Sequence, residues 1–328
     1  MKTKPLVAAL LASASLGMAA SAAAQEAPLT TQIVDALNKI YGSHPGFRAN
    51  HAKGVVAEGH FKGTPAGARL SRAKLFDGSV IPVTVRFSDS GGLPDVPDGS
   101  QGANPHGMAI KYHLPGGDTD MVINSLKFFP VASGEEFRDL LLAIADSPAD
   151  APHPNKVEQF MGAHPQAPKA LATVQTPDSF ADEEYYGVDA FVFVDKDGKR
   201  QAVRYRMVPQ KLVHLKPEDA AKKPADFLVQ DLPARLAKGP VVFHLKAQLA
   251  QAGDQTKDPS QPWPDDRKLV DLGTLTLDKP APDSLEAQKK LLFMPTAITD
   301  GIELSDDPLP QVRTGAYAVS FSRRSAAK

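Results

Sequence analysis

The chain of 328 residues contains no cysteine. That absence excludes a disulfide framework, a thiolate nucleophile and thioether attachment of a prosthetic group. Paired metal-ligand spacings are missing too: His44, His60, His106 and His113 stand in no His-Glu-x-x-His arrangement, so a mononuclear zinc site is not expected. Only one long hydrophobic run occurs, Leu6 to Ala20, and it is short for a bilayer span, so no membrane span is expected. Nor does one sign of charge dominate. The formal net charge is −1, which gives no electrostatic reason to expect a nucleic-acid partner.

What is present begins with a signal-like segment. Lys2 and Lys4 precede the apolar run, and Ala22-Ala23-Ala24 follows it, so the sequence predicts cleavage after Ala24 and export to the periplasm. Loss of the two lysines would leave 35 basic residues against 38 acidic ones, a formal charge of −3. Residues 25–328 read as one domain, with prolines dispersed among many turns rather than arranged for a helical bundle.

Helical spacing from Thr30 to Tyr41 places Ile33, Leu37 and Ile40 on one face. Short runs of branched and aromatic residues follow at Val55 to Lys62, Ile81 to Phe87, Gly107 to Leu114 and Met121 to Asn124, separated by Gly, Pro and Asp. A helix is expected over Glu135 to Ala145, burying Phe137, Leu140, Leu141 and Ile144, with further helical pieces through Asn155 to Thr173. Strands return at Val188 to Val194, Gln201 to Met207, Val241 to Ala250 and Leu269 to Leu277. In the third of these, Val241, Phe243, Leu245 and Leu249 alternate inward. Two groups of about four strands predict a closed or nearly closed antiparallel barrel, with Gln311 to Ser322 a helix against it.

Four local patterns could carry chemistry. His51 stands where helix gives way to strand, a setting for a proton shuttle or for a local backbone hydrogen bond. Arg86 and Ser88 end a strand; an inward arginine there meets an acid or a carboxylate ligand, and a surface ion pair is the plainer alternative. Asn124 ends an apolar run before Phe128-Phe129, as a buried donor or as a turn residue. Near the C-terminus Arg313 precedes Tyr317 by four residues, one helical turn. A guanidinium beside a phenol lowers the phenol's pKa from about 10, and a tyrosinate ligates ferric haem iron, although the spacing also suits a surface contact.

In order and content these segments resemble the catalase superfamily. The resemblance rests on Arg48 to Gly54 (Arg-x-x-His-Ala-Lys-Gly), Val85 to Ser88 (Val-Arg-Phe-Ser), Pro105-His106-Gly107, Asp120 to Asn124 with Phe128-Phe129, and Tyr186-Gly187-Val188. It continues through Pro262-Trp263-Pro264, Gly301-Ile302, Ser305, Asp307 and Arg313 to Tyr317. It covers Thr30 to the C-terminus and implies an α+β fold, an antiparallel eight-stranded catalase-like β-barrel with inserted and flanking helices. The implied cofactor is haem b. The resemblance makes His51 the distal acid/base, assisted by Ser88, with Asn124 the distal donor. Tyr317 would be the axial ligand of the haem iron, kept ionised by Arg313. Arg48, Arg86 and Arg324 would face the propionates or the proximal side, and Phe137 would pack near the haem.

Where the chain departs from the family pattern, the expectation changes. It is shorter than typical catalases, so no nicotinamide nucleotide is expected, and a monomer or small homo-oligomer is. Asn50 and Ser90 stand where valines are usual, and Asn104 meets a channel aspartate, which suggests a more polar mouth. These features resemble the short catalase-related peroxidases, which use a hydroperoxide and a small organic electron donor. The alternatives are a true catalase, a hydroperoxide isomerase of the allene oxide synthase type and a non-catalytic haem binder.

Overall fold

The computed structural model describes residues 26–326; the signal segment and its expected cleavage site lie outside the described residues. Eight strands form the ring: β1 Gly54–Gly63, β2 Val80–Ser88, β3 Gly107–Tyr112, β4 Thr119–Asn124, β5 Tyr185–Tyr186, β6 Arg200–Pro209, β7 Val241–Leu249 and β8 Leu269–Pro280. All neighbours are antiparallel in the order β7-β8-β1-β2-β3-β4-β5-β6, and β6 pairs back onto β7 from Phe243 opposite Pro209 to Leu249 opposite Val203. The sheet therefore closes, as its two groups of alternating strands imply, and closure removes the unpaired edges of an open sheet.

Alternation explains which side chains fill the ring. In β7, Val241, Phe243, Leu245 and Ala247 are buried, while Leu249 at the strand end is only partly covered, less inward than its place in the alternation suggests. Phe61, Phe76, Phe87, Tyr112, Tyr185, Phe193 and Phe243 occupy the interior with almost no exposure. Burying each large apolar side chain stabilises the fold by about 1.5–3 kcal/mol. Phe87 stacks on Phe180 at 5.6 Å and Phe61 meets Tyr112 edge-on at 5.4 Å, so the barrel is a packed core, not a channel.

The strand expected from Val188 begins only at Phe191, because residues 188–190 leave the ladder and Asp189 reaches Arg313 instead. Phe191–Val194 pairs with β6 across the Asp195 to Lys199 turn, and Ile302–Leu304 adds outside it.

Four helices position the site: α1 Leu29–Tyr41, α2 Gly134–Ala145, α3 Ser284–Lys290 and α4 Leu309–Ala326. Ile33, Val34, Ala36 and Leu37 of α1 bury their stripe against Leu141 of α2 and Ala316 of α4. That cluster reaches no further along α2 than Leu141, so Ile144 in the last turn is exposed, contrary to its apolar spacing, and Phe137 is only half-buried. α4 starts two residues earlier than its sequence suggests. Pro310 falls in its first turn, where the missing N–H has no helical partner to lose.

Candidate active site

One row of residues runs in register across five strands. Gly54 lies opposite Ser88, Ser88 opposite Gly107, Gly107 opposite Asn124, and Asn124 opposite Tyr186. Directly opposed residues project from the same face of a sheet. Two positions along, Arg86, Ala109 and Val122 form the next row of that face, while Phe87, Met108 and Ile123 between the rows belong to the barrel core. The face is thus the outside of the barrel. It is covered by α1, α4 and the loop Leu291 to Phe293, and the space between is a cavity of about 1190 Å³ counted out to its opening.

His51 stands at the edge of this floor with φ 55, in the left-handed region that few side chains occupy. Such a residue persists only when its surroundings hold it. Arg86 Nη2 donates to the His51 carbonyl at 2.8 Å, the Ala52 N–H donates to Gly91 at 3.0 Å, and Ser88 Oγ lies 3.1 Å from His51 Nδ1. Gly107 makes the last contact possible: a Cβ there would sit 2.8 Å from Ser88 Oγ and 3.0 Å from His51 Nδ1. Burial, and after it the Arg86 charge, push the His51 imidazole down to about 3, so the ring is neutral near neutral pH and its lone pair is unprotonated. Asn124 Oδ1 accepts the Leu126 N–H at 2.9 Å, which leaves its amide N–H groups as donors.

The helical wall carries Tyr317 and Arg313, one turn apart on α4. Arg313 Nε donates to Tyr317 Oη at 3.2 Å, Nη2 donates to the Val122 carbonyl at 3.1 Å, and Nη1 forms an ion pair with buried Asp189. Burial by itself would lower the guanidinium pKa, but the phenol and Asp189 more than offset it and the value is raised. Arg313 is a permanent cation with its own counter-charge. Asp307 behind it is pushed up to about 7 by burial and then by Asp189.

Three arginines edge the cavity in a different state. Arg48 Nη2 and Arg324 Nη2 donate to the Leu291 carbonyl at 2.8 and 2.6 Å, and Arg86 Nε donates to Gln288 Oε1 at 2.8 Å. Among the described residues none of the three forms an ion pair: of the acid or carboxylate ligand expected for Arg86, no acid of the chain meets it, and its partners are an amide and two carbonyls. Strand β2 aims it along Gly54 at α3, where Gln288 stands. Burial lowers Arg86 to about 9 and Arg324 to about 10, and Arg48 falls well below its usual value for the same reason, with Arg86 and Arg324 adding to it. Clustered, uncompensated cations favour a ligand with more than one negative charge. Two carboxylates on an iron porphyrin, with a phenol for the iron and a neutral imidazole for its substrate, match this donor set. The residues fit haem.

All nine residues singled out in the sequence line this one cavity: Arg48, His51, Arg86, Ser88, Asn124, Phe137, Arg313, Tyr317 and Arg324. Phe129 joins them, 5.3 Å from Phe137, but Phe128 turns away into a separate cluster with Leu126, Ala170 and Val188. Asn50 is on the wall, whereas Asn104 is not: its amide donates to Thr176 at 3.1 Å. Asp189 and Gln288 escape a motif reading. A buried arginine calls for an acid, and Asp189 directly after Tyr186-Gly187-Val188 could have been sought on that ground; Gln288 has no sequence signal.

A closed antiparallel barrel whose outer face, with a tyrosine-bearing helix, encloses one large cavity defines a class of cofactor-binding barrel protein. The chain belongs to the catalase family: the family model described as Catalase matches residues 28–328. It is 36% identical to the catalase-related peroxidase of Synechococcus elongatus over 95% of this chain and 93% of that protein. It is also 36% identical to the catalase-related peroxidase of Mycolicibacterium paratuberculosis, over 89% of this chain and 94% of that one. A fungal catalase crystal structure shares the fold, with a TM-score of 0.75 and 22% identity over 86% of this chain and 60% of the fungal chain.

Proposed function

We propose that this chain is a haem b peroxidase that reduces hydrogen peroxide or an organic hydroperoxide with a small organic donor, and that it works after export. The reading rests on one observation above the others: a neutral, Ser88-held His51 shares a cavity with an Arg313-held Tyr317. Two relatives that match over most of their length, both catalase-related peroxidases, support it. The signal-like start of the sequence supports export.

When bound, haem supplies the electron transfer that breaks the O–O bond. The protein's part is positioning and proton transfer. With Nδ1 engaged by Ser88, Nε2 of His51 is the atom left to take the proton from one peroxide oxygen and return it to the other, so that the leaving oxygen departs as water or an alcohol. Asn124 N–H groups hold the peroxide oxygens in place. Tyr317 would ligate the iron through its phenol oxygen, which Arg313 contacts while Asp189 holds Arg313 in place, and Arg48, Arg86 and Arg324 would take the propionates. The overall balance is one hydroperoxide and two hydrogen-atom equivalents from the donor giving alcohol or water, water and oxidised donor.

Parallel assays on haem-loaded protein test the proposal. Dye or phenol oxidation that greatly exceeds oxygen release is expected. Vigorous oxygen release with negligible donor oxidation would make the chain a true catalase instead, and hydroperoxide consumed without donor would make it an isomerase.

A further inference from the structure

Arg86 touches both halves of the chemistry proposed above: it lines the cavity, and its guanidinium bonds the backbone carbonyl of His51. What fixes it there is Gln288 of α3. Gln288 is 7% exposed and Arg86 4%, and the amide is held from both ends. Its Oε1 accepts Arg86 Nε at 2.8 Å and its Nε2 donates to the Gly54 carbonyl at 3.0 Å. The contact is possible only because position 54 has no side chain: a Cβ there would lie 2.8 Å from Arg86 Nη2 and 2.3 Å from the Phe87 carbonyl. So α3, distant in sequence from both Arg86 and His51, locks the strand end that carries the imidazole.

An acid at position 288 could accept from Arg86 Nε as well as an amide does, and an ion pair is the commoner answer to a buried guanidinium. It would also cancel the charge. An amide anchors the guanidinium while leaving its field intact toward the cavity. We propose that Gln288 is a positioning residue that clamps Arg86 without neutralising it, so that one unspent positive charge both faces the cofactor's carboxylates and stands against the backbone of His51. The groups around this charge are Arg324, which opposes it, and Asp89, which favours it; His51 also feels Arg313 and His106, which lower it, and the Asp89 backbone, which raises it. None of these sits where Gln288 does, between Arg86 and the helix that caps it.

The inference rests on the haem peroxidase reading, and two variants of the full-length protein separate the two ideas. Gln288→Glu keeps size and the acceptor but adds the missing negative charge. Gln288→Ala removes the clamp and adds no charge. Haem affinity is read by absorbance titration, and the pH dependence of the reaction with peroxide by rapid mixing. With Gln288→Glu, haem affinity falls on the order of tenfold and the acid limb governed by His51 moves up by about one pH unit, the effect of one nearby charge. With Gln288→Ala, the limb stays in place and the rate drops at every pH, as expected when the imidazole loses its support. An unchanged limb and unchanged haem affinity in Gln288→Glu would overturn the proposal, as would an equal shift in both variants, which would mark a structural role only. Failure of the unmodified protein to bind haem would instead remove the peroxidase reading, before either variant is made.

Discussion

The two walls of the cavity solve opposite electrostatic problems. On the barrel wall, His51 is buried next to an arginine that has no acid, and the result is a neutral imidazole pushed down to about 3. On the helical wall, Arg313 is equally enclosed but paired with Asp189, and the result is a guanidinium whose charge is reinforced. A cation beside a proton acceptor and a cation beside a phenol thus do different work according to whether a counter-charge accompanies them. The barrel wall holds a base that is empty of its proton; the helical wall holds a charged guanidinium against the Tyr317 hydroxyl.

Removing the acceptor from the barrel wall should have the largest effect. His51→Ala is expected to slow the reaction with hydroperoxide by about 10²–10⁴-fold while leaving the haem spectrum close to that of the unmodified protein, measured by stopped flow. Next comes the counter-charge of the helical wall. Asp189→Asn strands a buried arginine, and breaking such a pair costs about 3–5 kcal/mol, so thermal unfolding should shift down clearly in the variant. If Asp189→Asn left stability and haem absorption untouched, the contrast between paired and unpaired cations would lose its basis.

A smaller effect is expected from Ser88→Ala. One hydrogen bond to His51 Nδ1 contributes about 0.5–1.5 kcal/mol, so the peroxide reaction should slow only severalfold, with no change in haem content. The smallest is a slope. Asp98, buried behind the barrel wall and ion-paired to Lys53, is pushed up to about 7 by burial and then by Asp89. Its folded pKa exceeds the ordinary 3.8, so the native state holds an extra proton between about pH 4 and pH 7, and the group contributes more stability as pH falls through that window. His51 and His106, at about 3 and 4 against 6.5, act in the other direction and withdraw stability as pH falls below 6.5. Asp98→Asn should therefore lose stability more steeply than the unmodified chain on acidification from pH 7 to 4, read from unfolding temperatures.

On both walls the residues that line the cavity were legible in the sequence and their supports were not. Strand alternation and turn residues located seven of the eight ring strands to within a few residues, since inward and outward side chains alternate by geometry, but not the two-residue β5. The barrel-wall residues fall within short segments at strand ends, so Arg48 to Gly54, Val85 to Ser88 and Asp120 to Asn124 present them as local patterns. The row from Gly54 through Ser88 and Gly107 to Asn124 then follows from register alone. Arg313 and Tyr317 are local to each other in the same way. Their supports are not: Asp189 is 124 residues from Arg313, and Gln288 is 202 residues from Arg86. No periodicity records such pairs, because they are fixed by how the barrel closes and where α3 and α4 dock. The same long-range packing sends Phe128 away from the cavity and leaves Ile144 in solvent, two placements that apolar spacing could not decide.

The most direct test of the account is an absorbance titration of the purified protein with ferric haem, alongside Tyr317→Phe. One equivalent should give a high-spin ferric spectrum with tyrosinate character in the unmodified protein, and that character should be gone in the variant. Identical spectra in the two proteins, or no saturable spectral change in the unmodified one, would contradict it.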